Sequence, residues 1–312
     1  MTKQRVKRQH FVPRFYLANF CNEEGKLWTH DSRRERAIQT TPEKTGFETN
    51  IYSPEIENGE RFDEIEKVLS SIESAAAPLL KKLLTFENLD GAEKASMAVF
   101  IASMFVRSPA QITQFAAFTG DMAGWGAAMH AEYKAKAKGE NADIEEEVIK
   151  YLGTKDALKL TVDRRAGLMG FVQLEAISRL IERMTWSFEI SHGVELITSD
   201  NPVFWVPVDK MSASPYGFGL AHQNAAIPFP LSPSVILRID HRNPNPWKRH
   251  TLDKQRAKLA NRMRAQHKHH CLYYRTHHDG IHRLGMKYAK PVQQLDSGVQ
   301  GPDVTVVRKL KK

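Results

Sequence analysis

"RQHFVPRFYLANF" (residues 8–20) stands near the start of the chain, and the fold turns on how it is read. Burying an apolar side chain is worth roughly 1.5–3 kcal/mol, so Phe11, Phe15, Tyr16, Leu17 and Phe20 do not all stay in water. The segment is expected to be an integral part of the core, and deleting residues 1–20 is expected to give insoluble protein. His10 and Arg14 travel with it. His10 lies where the docked segment meets a basic start, so its ring is expected to face a cleft.

Downstream, "KLWTHD" (26–31) reads as a short strand and "NIYS" (50–53) as another extended piece. From Arg61 the period changes. Phe62, Ile65, Val68, Leu69, Ile72, Ala76, Leu79, Leu80 and Leu83 recur at helical spacing, which predicts an amphipathic helix over 61–84. Asp90 caps a second helix, 91–107, apolar nearly all round and therefore central. Further helices are expected near 110–138, 143–152 and 155–184. After Trp186 the pattern turns to strands: "WSFEIS", "VELIT", "VFWVP", "VILRID", then "CLYYR" and "VTVVRKL". Between them, 251–266 reads as a helix with Thr251 as N-cap, Lys254, Lys258, Arg262 and Arg264 near one side, and Leu252, Leu259 and Met263 on the buried side. The expected fold class is α+β. A helical middle (61–184) packs on a mixed or mostly antiparallel sheet built from the N-terminal segment and the C-terminal third, in one composite domain over 1–312 with sub-regions 1–60, 61–184 and 185–312.

Net charge is +9 over 312 residues, and it is unevenly placed. Residues 241–312 carry seventeen Lys and Arg against four acids, whereas 10–240 is net acidic. That asymmetry fits a polyanion partner, or a basic quarter packed on an acidic body. Eight of the thirteen histidines fall in 241–282, but no cysteine pair accompanies them and the spacing matches no zinc module. They read as a basic, polar surface. Cys21 and Cys271 lie far apart, which suits a reduced, cytoplasmic setting more simply than a disulfide. No charged-then-apolar leader opens the chain, and the longest apolar run, "MAVFIASMFV", is too short to span a bilayer. No membrane partner is therefore expected. The chain contains no GxxxxGK[ST], GxSxG or HExxH and no strand-linked GxGxxG. Their absence argues against P-loop, α/β-hydrolase, zincin and dinucleotide chemistry.

The chain resembles a bacterial family known as domain of unknown function 4238. The resemblance runs over nearly the full length. It is carried by His10, Pro13, Tyr16, Leu17 and Phe20, by Glu73, by "RSP" at 107–109, by Trp186, by "TSDNPV" (198–203) and by "PLSP" (230–233). One departure is Met104, where the family often has glutamine. The resemblance implies no activity, so the residues are argued on their own.

Asp200 sits just past a strand end, where a carboxylate is fixed yet reachable and suits a metal ligand or general base. It equally suits an Asx turn, in which its loss would cost about 1 kcal/mol, as a lost cap does, and asparagine would serve as well. Glu73 borders the apolar stripe of its helix, as a ligand or as the salt-bridge partner of Arg107. His10 suits a ligand or a general acid or base. If His10, Glu73 and Asp200 meet, they hold a hard divalent cation, Mg²⁺ or Mn²⁺. Arg14, Arg107, Lys258 and Arg262 then take phosphate. Two functions follow. One is a metal-dependent nuclease with His10, Glu73 and Asp200 as the reacting cluster. The other is a non-catalytic nucleic-acid-binding or regulatory protein in which the same residues are structural. An open positive cleft marks the first, and buried, mutually paired residues mark the second.

Overall fold

Val12, Tyr16, Leu17 and Phe20 are fully buried and Phe11 nearly so, which makes the opening segment core. The computed structural model describes residues 8–49, 51–52, 63–138, 159–162, 164–209, 218–289 and 304–307. The segment forms β1 (Arg8–His10) and one helical turn, α1 (Arg14–Leu17). Pro13 stands just before that turn, where a missing N–H costs nothing. A hairpin of β2 (Leu27–Asp31) and β3 (Arg36–Thr40) follows, then β4 (Phe47–Thr49), which pairs antiparallel with β1. The extended piece expected at 50–53 thus lies earlier, and Tyr52 is in a turn.

The chain divides into two compact units, Met1–Ala110 with Phe171–Val292, and Gln111–Gly170 with Gln293–Lys312. The division falls inside the stretch read as one helical middle.

In the first unit, α2 (Glu64–Leu84) buries Leu69, Ala76, Leu79, Leu80 and Leu83 on one stripe. Helix α3 (Gly91–Val106) starts at a capping box. Asp90 accepts from the Glu93 amide, and Glu93 accepts from the Asp90 amide in return. Nine of the sixteen α3 residues are buried, so it is the central helix, as its unbroken hydrophobicity predicts. The short amphipathic α5 (Leu174–Arg183) lies against it. The 155–184 region is not one helix. Residues Arg164–Gln173 are 3₁₀, and Lys159–Val162 is a strand, β5.

Two larger sheets complete this unit. One has the order β11–β6–β10–β9–β8, built from β6 (Thr185–Ser191), β8 (Val206–Pro207), β9 (Ala225–Ser232), β10 (Val235–Asp240) and β11 (Arg249–Leu252). It is antiparallel except where β11 runs parallel to β6. The other has the order β3–β2–β12–β7, with β7 (Thr198–Ser199) and β12 (Cys271–Tyr274). The hairpin β2–β3 therefore shares a sheet with strands of the C-terminal third, whereas the strand of the apolar opening stretch, β1, pairs only with β4.

Strand β9 escapes the sequence reading because Pro228 and Pro230 lie inside it, and proline demotes a strand. Beyond Ala225 and Ala226 it has no pairing with β8. The two prolines pair with Arg238 and Ile236 of β10, yet their carbonyls accept from side chains on the opposite flank. A strand residue's N–H and C=O point to the same side. The missing N–H of each proline therefore faces that flank, and no ladder bond to β10 is lost.

"VELIT" shrinks to the two residues of β7 because neighbours take its amides. Leu196 donates to the Pro233 carbonyl at 2.7 Å and Ile197 to Asn261 Oδ1 at 3.0 Å. The C-terminal helices are α6 (Lys254–His267) and α7 (Asp279–Lys287). Residues expected to open α6 form β11, and its N-cap is Asp253, which accepts from the Arg256 amide at 2.8 Å.

The second unit contains most of α4 (Pro109–Lys138) and the antiparallel pair of β5 with β13 (Val304–Val307). A Cβ on Gly167 would meet the Ile112 carbonyl oxygen at 2.1 Å, so only glycine fits there. The helix expected at 143–152 lies outside the described residues. Among the described residues no single helix is long and apolar enough to cross a membrane, and Cys21 and Cys271 are both free.

Candidate functional site

The motif "TSDNPV" is where the N-terminal segment is tied to the C-terminal third. The Tyr16 hydroxyl donates to the Pro230 carbonyl at 2.8 Å and lies 2.8 Å from Thr198 Oγ1. A phenol has one proton, so the threonine hydroxyl donates to it in turn. The Tyr16 ring stacks on Phe229 at 5.3 Å, and burial pushes its hydroxyl pKa well up. Asp200 is 2% exposed. Its Oδ1 accepts from the His269 amide at 2.7 Å, and its Oδ2 from the amides of His270 and Cys271 at 2.6 and 2.8 Å. Burial raises the Asp200 carboxyl pKa, while the three amides and the Lys268 charge oppose that rise. Asn201 donates from its side chain to the His267 carbonyl at 2.9 Å. The carbonyls of Asn201 and Pro202 accept from Arg264 Nη1 at 3.3 and 2.6 Å, and that of Pro228 accepts from Nη2. The Arg264 guanidinium lies 4.3 Å from the Phe204 ring centroid, and burial brings its pKa down to about 10. It still carries its charge at neutral pH. Arg264 is thus a buried strut, not part of the exposed basic side where the sequence placed it.

Glu73 and Arg107 make the expected pair, with Arg107 Nη1 to Glu73 Oε1 at 2.6 Å. Arg107 is 0% exposed, and its Nη2 donates to Met104 Sδ at 3.0 Å. Met104 therefore meets the arginine through its sulfur. Tyr52 donates its hydroxyl to the Arg107 carbonyl at 2.8 Å and its amide to Gln9 Oε1 at 2.7 Å. A guanidinium so enclosed cannot face a phosphate, which removes Arg107 from the phosphate-binding set.

His10 donates from Nε2 to the Pro42 carbonyl at 3.2 Å and packs on Phe47 with ring centroids 5.4 Å apart. Burial first, and then the Arg14 charge, lower its pKa, while Glu73 acts the other way. Asp200 belongs to a different neighbourhood, the turn at 268–271. Among the described residues no group of three or more His, Cys, Asp or Glu side chains is gathered closely enough to hold a metal ion, so His10, Glu73 and Asp200 do not form the expected cation site.

Arg14, Lys258 and Arg262 are exposed, as phosphate binding requires. Lys254, Lys258 and Arg262 recur every four residues, forming one row along α6. Among the described residues no carboxylate stands within ion-pair distance of any of the three. The face adjoining this row buries Ala257, Asn261, Arg264 and Ala265, and Leu259, expected inside, is 49% exposed.

Several histidines prove structural. The His278 side chain accepts from the Gly280 amide and caps α7. His277 packs on Trp28 at 4.4 Å, and His282 sits edge-on to His30 at 4.9 Å. His30, which the sequence reading passed over, is fully buried, and neither ring nitrogen has a hydrogen-bond partner among the described residues. Gly285 packs so tightly on this ring that a Cβ there would come within 2.4 Å of it. Burial, His282 and Lys268 lower the His30 pKa to about 4.

With this geometry in view, the motif pattern has a counterpart among known families. A family model described as protein of unknown function (DUF4238) matches residues 8–278. The chain belongs to that family. Neither a curated protein nor a solved structure matches it.

Proposed function

We propose that this is a non-catalytic nucleic-acid-binding protein, in which the family motifs build the frame and the C-terminal third carries the binding surface. The observation that carries this reading is the row Lys254, Lys258 and Arg262. It is exposed, lacks carboxylate partners among the described residues, and lies on a helix whose adjoining face is locked into the core. Such a row releases counterions from a phosphate backbone without regard to sequence. Support also comes from Asp200, whose carboxylate is engaged by backbone amides, and from Arg107, whose Nη1 is engaged by Glu73. Two free cysteines fit a cytoplasmic setting.

The test is binding of mixed RNA and DNA over a range of salt, with and without Mg²⁺ or Mn²⁺. The parent protein should bind without cleaving. In K258E/R262E, binding should weaken and the slope of log K against log salt should fall by about 2. Metal-dependent cleavage would restore the nuclease reading instead, and an unchanged slope would remove α6 from the interface.

A further inference from the structure

The stretch "NPNPWKRH" (243–250) leads into β11, an edge strand of the five-stranded sheet. It interleaves an aromatic residue with Lys248 and Arg249, both exposed. Trp247 is held with φ at +61°, and Phe86, at the end of α2, with φ at +62°. Bulky side chains avoid this left-handed region. A fold keeps such residues there where the surrounding structure dictates it, and sites for ligands are a common setting.

Both rings pack on one buried ring, Phe188. The Phe86 centroid is 5.2 Å from it and edge-on, and that of Trp247 is 6.2 Å away. Trp247 also lies 5.8 Å from Trp186, and its amide donates to the Trp186 carbonyl at 2.6 Å. Phe188 and Trp186 are each 1% exposed, so they form a fixed floor. Phe86 and Trp247 are only half-buried above it. The Arg249 guanidinium lies 4.5 Å from the Phe86 ring centroid. Among the described residues neither Lys248 nor Arg249 has a carboxylate within ion-pair distance.

We infer that Phe86 and Trp247, with Arg249 and Lys248 beside them, form a stacking platform for unpaired bases, which makes single-stranded nucleic acid the preferred ligand. This rests on the polyanion-binding reading above and narrows it. Stacking needs an accessible base face, which a duplex hides and a single strand offers. The guanidinium and ammonium groups supply the phosphate contacts that a purely apolar platform would lack. Arg249 stands five residues before the start of α6, so β11 links the platform to the Lys254–Lys258–Arg262 row.

The test uses the full chain with three ligands: a single-stranded DNA 12-mer, the corresponding duplex, and a heparin fragment that has charge but no bases. The single strand should bind at least tenfold more tightly than duplex or heparin at equal salt, and it alone should quench tryptophan fluorescence. Trp247→Leu should weaken single-strand binding about tenfold, abolish the quenching and leave heparin binding unchanged. Arg249→Gln, which spares the aromatic floor, should weaken the single strand more than heparin and covers the case that the tryptophan variant does not fold. Equal affinity for all three ligands, or equal losses for all three in these variants, would overturn the platform while leaving the basic row of α6 standing. No binding of heparin or of either DNA by the parent at low salt would overturn both.

Discussion

Arg262 and Arg264 stand two residues apart on α6 and live in opposite surroundings. Arg262 is exposed, in a row with Lys254 and Lys258. Arg264 is 3% exposed, with its guanidinium bonded to the carbonyls of Asn201, Pro202 and Pro228. The comparison extends to the faces around them. One ties strands, turns and the N-terminal segment together through buried polar groups. The other does no internal work. Equal charge on paper therefore divides into a part that holds the fold and a part free to meet a ligand, and the division is set by what each face is packed against.

The contrast breaks most readily at Arg264. Replacing it with methionine fills similar space but leaves the carbonyls of Pro202 and Pro228 without their donor, while that of Asn201 keeps the Ser199 hydroxyl. Stability to urea should fall by about 3 kcal/mol. A loss below about 1 kcal/mol would mean the buried face does not depend on this strut. Asp200→Asn comes next. Both carboxylate oxygens accept amides, and asparagine would aim an NH₂ at one or two of them. A loss of about 2 kcal/mol is expected in thermal or chemical unfolding, rather than the neutral exchange expected of a simple Asx turn.

His30 gives a smaller effect with a defined sign. Its folded pKa, about 4, lies below the unfolded value near 6.5. As pH falls through the unfolded value, the unfolded chain takes up a proton that the folded chain refuses, so stability drops. Between about pH 7.5 and about pH 5.5 the loss should be about 1 kcal/mol, and it should shrink in His30→Asn. An equal acid loss in parent and variant would assign it to another group. At the small end, K258E/R262E should unfold within about 0.5 kcal/mol of the parent. A larger change would show that the exposed row also serves the fold.

Much of the architecture was legible from residue pattern. The apolar stripe of α2, the Asp90 capping box and the docking of residues 8–20 follow from spacing and burial energy alone. The α6 face was not. Ala257, Asn261, Arg264, Ala265 and Lys268 share one side, a spacing that marks burial, yet three of the five are polar. A hydrophobicity reading chooses Leu259 and Met263 instead. What buries Arg264 is a set of carbonyls from residues 201, 202 and 228, which no local window contains. The same holds for Asp200, whose partners lie about seventy residues away. The Glu73–Arg107 pair was legible because both helices were, and each residue falls where its helix presents it. The His10–Glu73–Asp200 grouping failed because it joined residues by chemical type, while the fold sends Asp200 to the turn after α6.

The prolines of β9 have a consequence beyond pairing. The outer flank of a strand is normally a template on which a second chain can add itself, and edge strands are a common start of self-association. On β9, the two positions that would offer an N–H outward are Pro228 and Pro230, and the outward carbonyls are held by Arg264 and Tyr16. An incoming strand would find neither donor nor acceptor there. The arrangement that joins the N-terminal segment to the C-terminal third also protects this edge from aggregation, so variants that loosen Tyr16 or Arg264 should clump before they lose their helices.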